Sequence, residues 1–554
     1  MRQTPVLVIL LLMLLTPLAL SVQNQVPSGD FSLIVEPQHD ELTPAQNQAL
    51  KAAGFSRGTN TNWTVAGGSQ GDDTIYEIQV DSNNDVIICG RVENDTQLGT
   101  ILISTQGNGD IIIAKITAGG TWAWATIVGA PEYVDACRGI DIGPDDEIYA
   151  TGYMRDTMDF GSITVYPEPG WDGWIGRIDS NGTWAWADSF GGLDVDVGWD
   201  VAVDSKGNLA VTGYFQNISY FGVAGEIVAQ QQRDVYRYFL AYYNTSAEDF
   251  DWVVSSRGLG YSTAFQLTID KSDDSIYTAG YNNGNEDYGL NNSSYPAGTW
   301  AGVVVKYNTH GSLIWLKSVS STSCTGFGNC GVYFNNIVLH PSGGVVVGGH
   351  YLDNYLKNGG TVKSARGGWD LLVMYIDTDG NEVWSQQGGS SADDSLQALS
   401  INPKGQVQVG GSHSRTMNLG YVQINSSAVY DEFFIAQIST SGTWQWGMSN
   451  GGGENDNVGA LLALPDGSII AAGDFSGTVN LDNSYLTAAA GRDMFVWHFY
   501  HDADDDGVPD YSDNCITDPN LNQSDFDGDL WGDECDSDDD NDGLHDVLDD
   551  CNKG

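Results

Sequence analysis

One short motif constrains the fold of most of this chain. Gly182-Thr-Trp184-Ala-Trp186 has near copies in Gly120-Thr-Trp122-Ala-Trp124 and Gly442-Thr-Trp444-Gln-Trp446, and Trp252, Trp315 and Trp384 mark weaker ones. Trp124 to Trp186, Trp252 to Trp315 and Trp384 to Trp446 span 62, 63 and 62 residues. A fixed period of this kind means a repeat architecture. Each unit holds four runs rich in β-branched and aromatic residues, separated by Gly, Asn, Asp and Ser turns, and none shows a sustained helical period. In one unit these runs are Asp200 to Asp204, Leu209 to Phe215, Asp234 to Tyr243 and Asp251 to Ser255. Four-strand units recurring many times predict an all-β fold, a β-propeller of four-stranded blades.

First strands begin near Thr74, Arg138, Trp199, Ala264, Tyr333, Ser395 and Asn457, which predicts seven blades. The region opens with an orphan Trp strand at Asn62-Trp63-Thr64 and closes with an orphan third strand, Asp493 to Tyr500. Joined, they complete one blade, so an N-terminal strand is expected to tie the ring shut and remove two open sheet edges. Trp184 and Trp186 share one face of their strand. Their recurrence in several units points to blade-to-blade packing rather than a sugar-stacking platform.

The four-strand pattern resembles the SBBP family of β-propeller repeats over roughly residues 61–500. The resemblance rests on segments such as Val201-Ala-Val-Asp-Ser-Lys-Gly-Asn-Leu-Ala-Val-Thr-Gly213 and on the Gly-Thr-Trp turns. It implies architecture and says little about activity, because this fold hosts many functions.

Lys plus Arg number 22 against 73 Asp plus Glu, a formal charge of −51, which excludes a nucleic-acid partner and makes cations the natural one. Arg2 followed by the apolar run Val6 to Leu20, with Ala19 and Ser21 at a small-residue cleavage point, reads as a signal peptide over residues 1–21. An uncleaved anchor is the alternative. With the leader removed, no membrane span is expected, and the protein is expected outside the cell or at its surface. Residues 22–60 read as a linker, 61–500 as the propeller and 501–554 as a separate tail.

The tail is the strongest chemical signal. Twenty of its 54 residues are Asp or Glu, and their spacing is regular. Asp502, Asp504, Asp506, Asp510 and Asp513, with Gly507 between, follow the 1, 3, 5, 9, 12 pattern of an EF-hand-type loop. Asp538, Asp540, Asp542, Asp546 and Asp549, with Gly543, repeat it, and Asp525, Asp527, Asp529 and Asp533 form a partial third. The backbone carbonyls of Val508 and Leu544 stand at position 7. So many hard oxygen ligands suit several Ca²⁺ ions. The segment resembles thrombospondin type 3 repeats through Asp513-Asn-Cys515, Asn522-Gln-Ser-Asp525 and Gly532-Asp-Glu-Cys535. That resemblance implies multiple calcium ions and cysteines linked from unit to unit, with Cys515 expected to pair with Cys535 and Cys551 left over. Leu530 stands where that family has Gly, which weakens the middle loop.

Among the other cysteines, Cys324 and Cys330 flank a short Gly-rich loop and form a candidate local pair. Cys89 takes the place of Thr151, Thr212, Ala279, Gly348, Gly410 and Ala472 in the other units, so burial alone accounts for it. Its pairing with Cys137 stays open. Asp73, Asp135, Asp196, Asp394 and Asp456 recur just before first strands. They read either as turn anchors accepting backbone N–H bonds or as a ring binding a cation or polyol at the channel mouth. Gly67-Gly-Ser69-Gln-Gly71 matches G-x-S-x-G but leads into a strand, so the nucleophile-elbow context is missing. No catalytic motif stands out. The sequence is read as a non-enzymatic calcium-binding protein of the cell surface, with a glycan or protein ligand. An extracellular enzyme, polysaccharide-acting or quinone-dependent, with its site at the channel mouth and a structural surface-layer component are the alternatives.

Overall fold

The computed structural model describes residues 62–546, apart from 230–234, 259, 285, 290–291, 294–299, 321–330, 353, 358–360, 427–429, 482–483, 505 and 542. The expected signal peptide, the linker, Cys324, Cys330, Asp542, Asp549 and Cys551 therefore lie outside the described residues. The described chain is all β. Its one helical element is the 3-10 turn Gly222–Ala224. Among the described residues no helix is long and apolar enough to cross a membrane.

Four-stranded antiparallel units follow one another along the chain. In the first unit Thr74–Val80, Val86–Val92, Asp110–Ile116 and Trp122–Val128 pair in that order. Units starting at Ala136–Ile142, Val197–Val203, Ser262–Asp270, Gly331–Leu339 and Asp394–Ile401 repeat it. The last unit is completed from the other end of the chain. Asp456–Ala463, Ile469–Leu481 and Ser484–Phe499 take Trp63–Gly68 as their fourth strand, with Trp63 opposite His498 and Gly67 opposite Met494. The pairing foreseen from the two orphan pieces is thus present.

Neighbouring units join through their first strands. Ile140 N–H donates to Glu77 Oε2 at 2.8 Å, Val203 N–H to Asp141 Oδ2 at 2.8 Å and Leu267 N–H to Asp200 Oδ2 at 2.7 Å. Ile337 N–H reaches Gln266 Oε1 at 2.7 Å, Asn336 Nδ2 reaches Gln397 O at 3.1 Å and Ala463 N–H reaches Ser400 Oγ at 2.9 Å. Asp456–Ala463 in turn packs against Thr74–Val80.

The tryptophans do the same work at the outer edge. The indole N–H of Trp63, Trp124, Trp252, Trp315 and Trp384 donates to a turn carbonyl of the next unit, at 2.9–3.2 Å. Each ring lies against the glycine of that turn. Gly120, Gly182, Gly311, Gly380 and Gly442 have φ of 70–86°, and a Cβ on any of them would sit 2.6–3.1 Å from the indole. The Gly in Gly-Thr-Trp is therefore required twice, by the left-handed turn and by the ring against it.

Cys89 and Cys137 form a disulfide. This corrects the reading that burial alone explains Cys89. The homologous positions in the next two units are Thr151 and Gly198, and a Cβ on Gly198 would lie 2.2 Å from Thr151 Oγ1. The two positions face each other across a junction, which no linear spacing reveals.

Candidate functional site

Two regions gather chemistry, a cavity among the first strands and the acidic tail. The cavity arises from one recurring irregularity. Every first strand carries a β-bulge at the same place, between Ile75 and Glu77, Cys137 and Gly139, Gly198 and Asp200, Ala264 and Gln266, Phe334 and Asn336, Leu396 and Ala398, and Val458 and Ala460. A bulge inserts an unpaired residue and re-aims its side chain. The inserted residues are Tyr76, Arg138, Trp199, Phe265, Asn335, Gln397 and Gly459, and all of them line a single cavity of about 890 Å³.

The cavity wall is aromatic and basic on one side and rich in amides on the other. The Arg138 guanidinium lies 3.9 Å from the Tyr76 ring centroid and 4.2 Å from that of Trp199, a cation–π sandwich. Tyr333 packs edge-on against Tyr281 at 4.8 Å and stacks on His350 at 5.4 Å. Burial pushes His350 down to about 4, so it is neutral near pH 7. Glu77 and Asp200 also reach the cavity, and both carboxyls are raised, mainly by desolvation. Sequence reasoning missed these residues as a group. Their signal was present as the one slip in the alternation of each first strand, filled by a different residue type in every unit.

The Asp series had two readings, turn anchors or a ring at the channel mouth. Asp73, Asp135, Asp196 and Asp394 do not line the cavity; Asp456 does. All five are buried and accept backbone N–H bonds: Ser69 and Glu93 donate to Asp73, Ala130 and Arg155 to Asp135, Gly192 to Asp196, Ser390 to Asp394, and Gly452 and Ser476 to Asp456. The turn-anchor alternative describes their geometry.

In the tail, three loops share one hydrogen-bond frame. Gly507 N–H donates to Asp502 Oδ2 at 2.9 Å, Leu530 N–H to Asp525 Oδ2 at 3.3 Å and Gly543 N–H to Asp538 Oδ2 at 3.0 Å. The position-9 acids Asp510, Asp533 and Asp546 accept from Ala503, Phe526 and Asp539 at 2.7, 2.8 and 3.0 Å. Asp502, Asp504 and Asp506 bring ligand atoms within 4.8 Å of one another, and so do Asp525, Asp527 and Asp529. Asp502 Oδ1, Asp504 Oδ2 and Asp513 Oδ2 are buried and meet no donor. The middle loop keeps the frame of the first despite Leu530, which takes φ 89° in place of a glycine. Its position-12 acid is Asp536, which the sequence reading passed over. Asp536 accepts from Asp538 N–H as Asp513 does from Cys515 N–H. The expected Cys515–Cys535 disulfide is formed.

The tail is docked, not free. His501 stacks on Trp446 at 4.0 Å, and its Nδ1 pairs with Asp510 Oδ2 at 2.7 Å. Tyr511 packs on Gly467 and under the Lys404 ammonium, 4.0 Å from its ring centroid.

Comparison with solved structures finds low likeness. Raptor from Chaetomium thermophilum is 8% identical, with 81% of this chain covering only 30% of that one, at a TM-score of 0.39. Sqt1 from the same organism is 11% identical over 78% of this chain and 86% of that one, at 0.38. A catalytically inactive virginiamycin B lyase from Staphylococcus aureus is 8% identical over 79% and 99%, at 0.36. Likenesses this low carry no argument. No curated protein matches the chain. The tail alone has a family match: residues 501–523 and 524–553 fit the model of the thrombospondin type 3 repeat, a calcium-binding unit.

Proposed function

We propose that this is an extracellular calcium-binding protein in which a seven-bladed, SBBP-type propeller binds a carbohydrate ligand in its central cavity, and the tail is a calcium-stiffened spacer or attachment. The observation that carries the ligand reading is the convergence of the bulged residues on one cavity. Aromatic faces beside amide and guanidinium donors are what a sugar presents itself to, apolar ring face on one side and hydroxyls on the other. The ligands proposed for the tail ions are the acids at positions 1, 3, 5, 9 and 12 of each loop with the carbonyls of Val508 and Leu544. The extracellular reading is supported by disulfides and by the tail's family match.

A glycan array probed with the full chain in calcium tests the ligand reading. Binding to a defined glycan class is expected, reduced at least tenfold by Trp199→Ala, a loss of about 1.4 kcal/mol. No binding to any glycan, or binding unchanged by Trp199→Ala, overturns it. The second reading, a polysaccharide-acting enzyme, is favoured by Glu77 and Asp200 side by side at the cavity with raised carboxyls. Turnover of a bound glycan that is lost in Glu77→Gln would select it.

A further inference from the structure

Three third strands begin with an aspartate, Asp110, Asp172 and Asp370, and the last unit carries Asp493 within the strand Ser484–Phe499. Each is buried. In each, Oδ2 accepts an N–H from four residues upstream, donated by Gln106, Glu168, Arg366 and Ala489 at 2.6–3.0 Å. The other oxygen, Oδ1, is buried and meets no donor in any of the four. Against it lies a glycine at or just after the end of a fourth strand. A Cβ on Gly129, Gly191, Gly389 or Gly68 would stand 2.1–2.3 Å from the Oδ1 of Asp110, Asp172, Asp370 or Asp493. The residue after each glycine donates its N–H to the next unit's anchoring aspartate, Asp135, Asp196, Asp394 or Asp73. One Gly-X step thus draws two buried carboxylates together at each junction.

We propose that the pairs Asp110/Asp135, Asp172/Asp196 and Asp493/Asp73 are calcium sites inside the β domain, separate from those of the tail. Two desolvated like charges need a compensating positive charge, and among the described residues no ion pair reaches any of these six acids. A buried water would satisfy the orphaned oxygen but leave the charge. The donors are all oxygen, the set that a hard cation takes. The pair Asp370/Asp394 is the internal contrast, because the Arg366 guanidinium already stabilises the Asp370 charge.

The test counts calcium bound to the full chain by equilibrium dialysis at millimolar calcium. Asp110→Asn and Asp172→Asn keep an acceptor for the Gln106 and Glu168 N–H groups while removing charge. Each is expected to bind one ion fewer than the unmodified chain and to lose part of the calcium-dependent rise in Tm. Asp370→Asn is expected to change neither. Asp506→Ala, in the tail, should remove a further ion additively. An unchanged ion count in both Asp110→Asn and Asp172→Asn overturns the proposal. Should those variants not fold, crystals of the unmodified chain grown with terbium decide it. An anomalous peak between Asp172 and Asp196 supports the site, and its absence from all three pairs, which leaves a shared proton as the compensating charge, overturns it.

Discussion

Single residues here show what burial does to charge. Asp200 stands at about 8, raised first by desolvation and further by Asp141, against the N–H bonds of Leu267 and Val201 that lower it. Glu77, facing it, is raised as well. Asp394 stands at about 7, raised by desolvation and by Asp370 and Asp393, against the backbone and hydroxyl bonds of Ser390. In the unfolded chain both titrate near 3.9. Between these values the folded state holds more protons than the unfolded one, so stability is greatest at low pH and is lost as pH rises from about 4 to about 8. Tm measured in chelator is expected to fall across that window, and Asp200→Asn to flatten the slope. A Tm rising over the same range would contradict these environments. Leu530 is the second test at this scale. Its left-handed backbone costs roughly 1–2 kcal/mol, partly offset in a Leu530→Gly chain by the greater freedom of glycine when unfolded, about 0.5–1 kcal/mol. Leu530→Gly is therefore expected to tighten calcium binding by the middle loop modestly, read as a several-fold lower Kd in calorimetry. Leu530 was legible as a departure from the glycine rule, but its tolerance was not. Whether a side chain accepts φ > 0 depends on what the loop gains by closing.

At the scale of elements, the strand Trp63–Gly68 is joined to Ser484–Phe499 by five residue pairs, from Trp63–His498 to Gly67–Met494. It also sends Trp63 against Gly120 of the first unit. Deleting the chain through Gly68 leaves two sheet edges open, and Tm is expected to drop sharply, with loss of a single cooperative transition. A deletion that melts like the intact chain would show the closure to be dispensable. Both partner segments were recognisable because each lacked something the repeat supplied elsewhere. The small hairpins such as Met158–Phe160 with Ile163–Val165 were not foreseen. They lie inside the variable connection between second and third strands, where the repeat imposes no pattern.

For the whole molecule, calcium removal separates the two regions. The tail holds few apolar residues, and buried carboxylate oxygens of Asp502, Asp504 and Asp513 meet no donor, so ion binding is expected to supply its folding free energy. Chelation is expected to make the tail protease-sensitive while the β domain stays folded, and titration should restore protection at calcium of about 10⁻⁴–10⁻³ M, the range of extracellular modules. Equal protease resistance with and without chelator would refute calcium folding of the tail. The sequence by itself determined the repeat, its strands, the Gly-Thr-Trp turns, the closing strand and the acid spacing of the tail, because each depends on residues near one another in the chain or on a pattern copied many times. Only the tertiary structure decided the Cys89–Cys137 bond, the pairing of Asp110 with Asp135 and of Asp172 with Asp196, and the meeting of Tyr76, Arg138 and Trp199 in one cavity. Those contacts join neighbouring units, and the distance across a junction is set by how sheets pack, which no period in the sequence encodes.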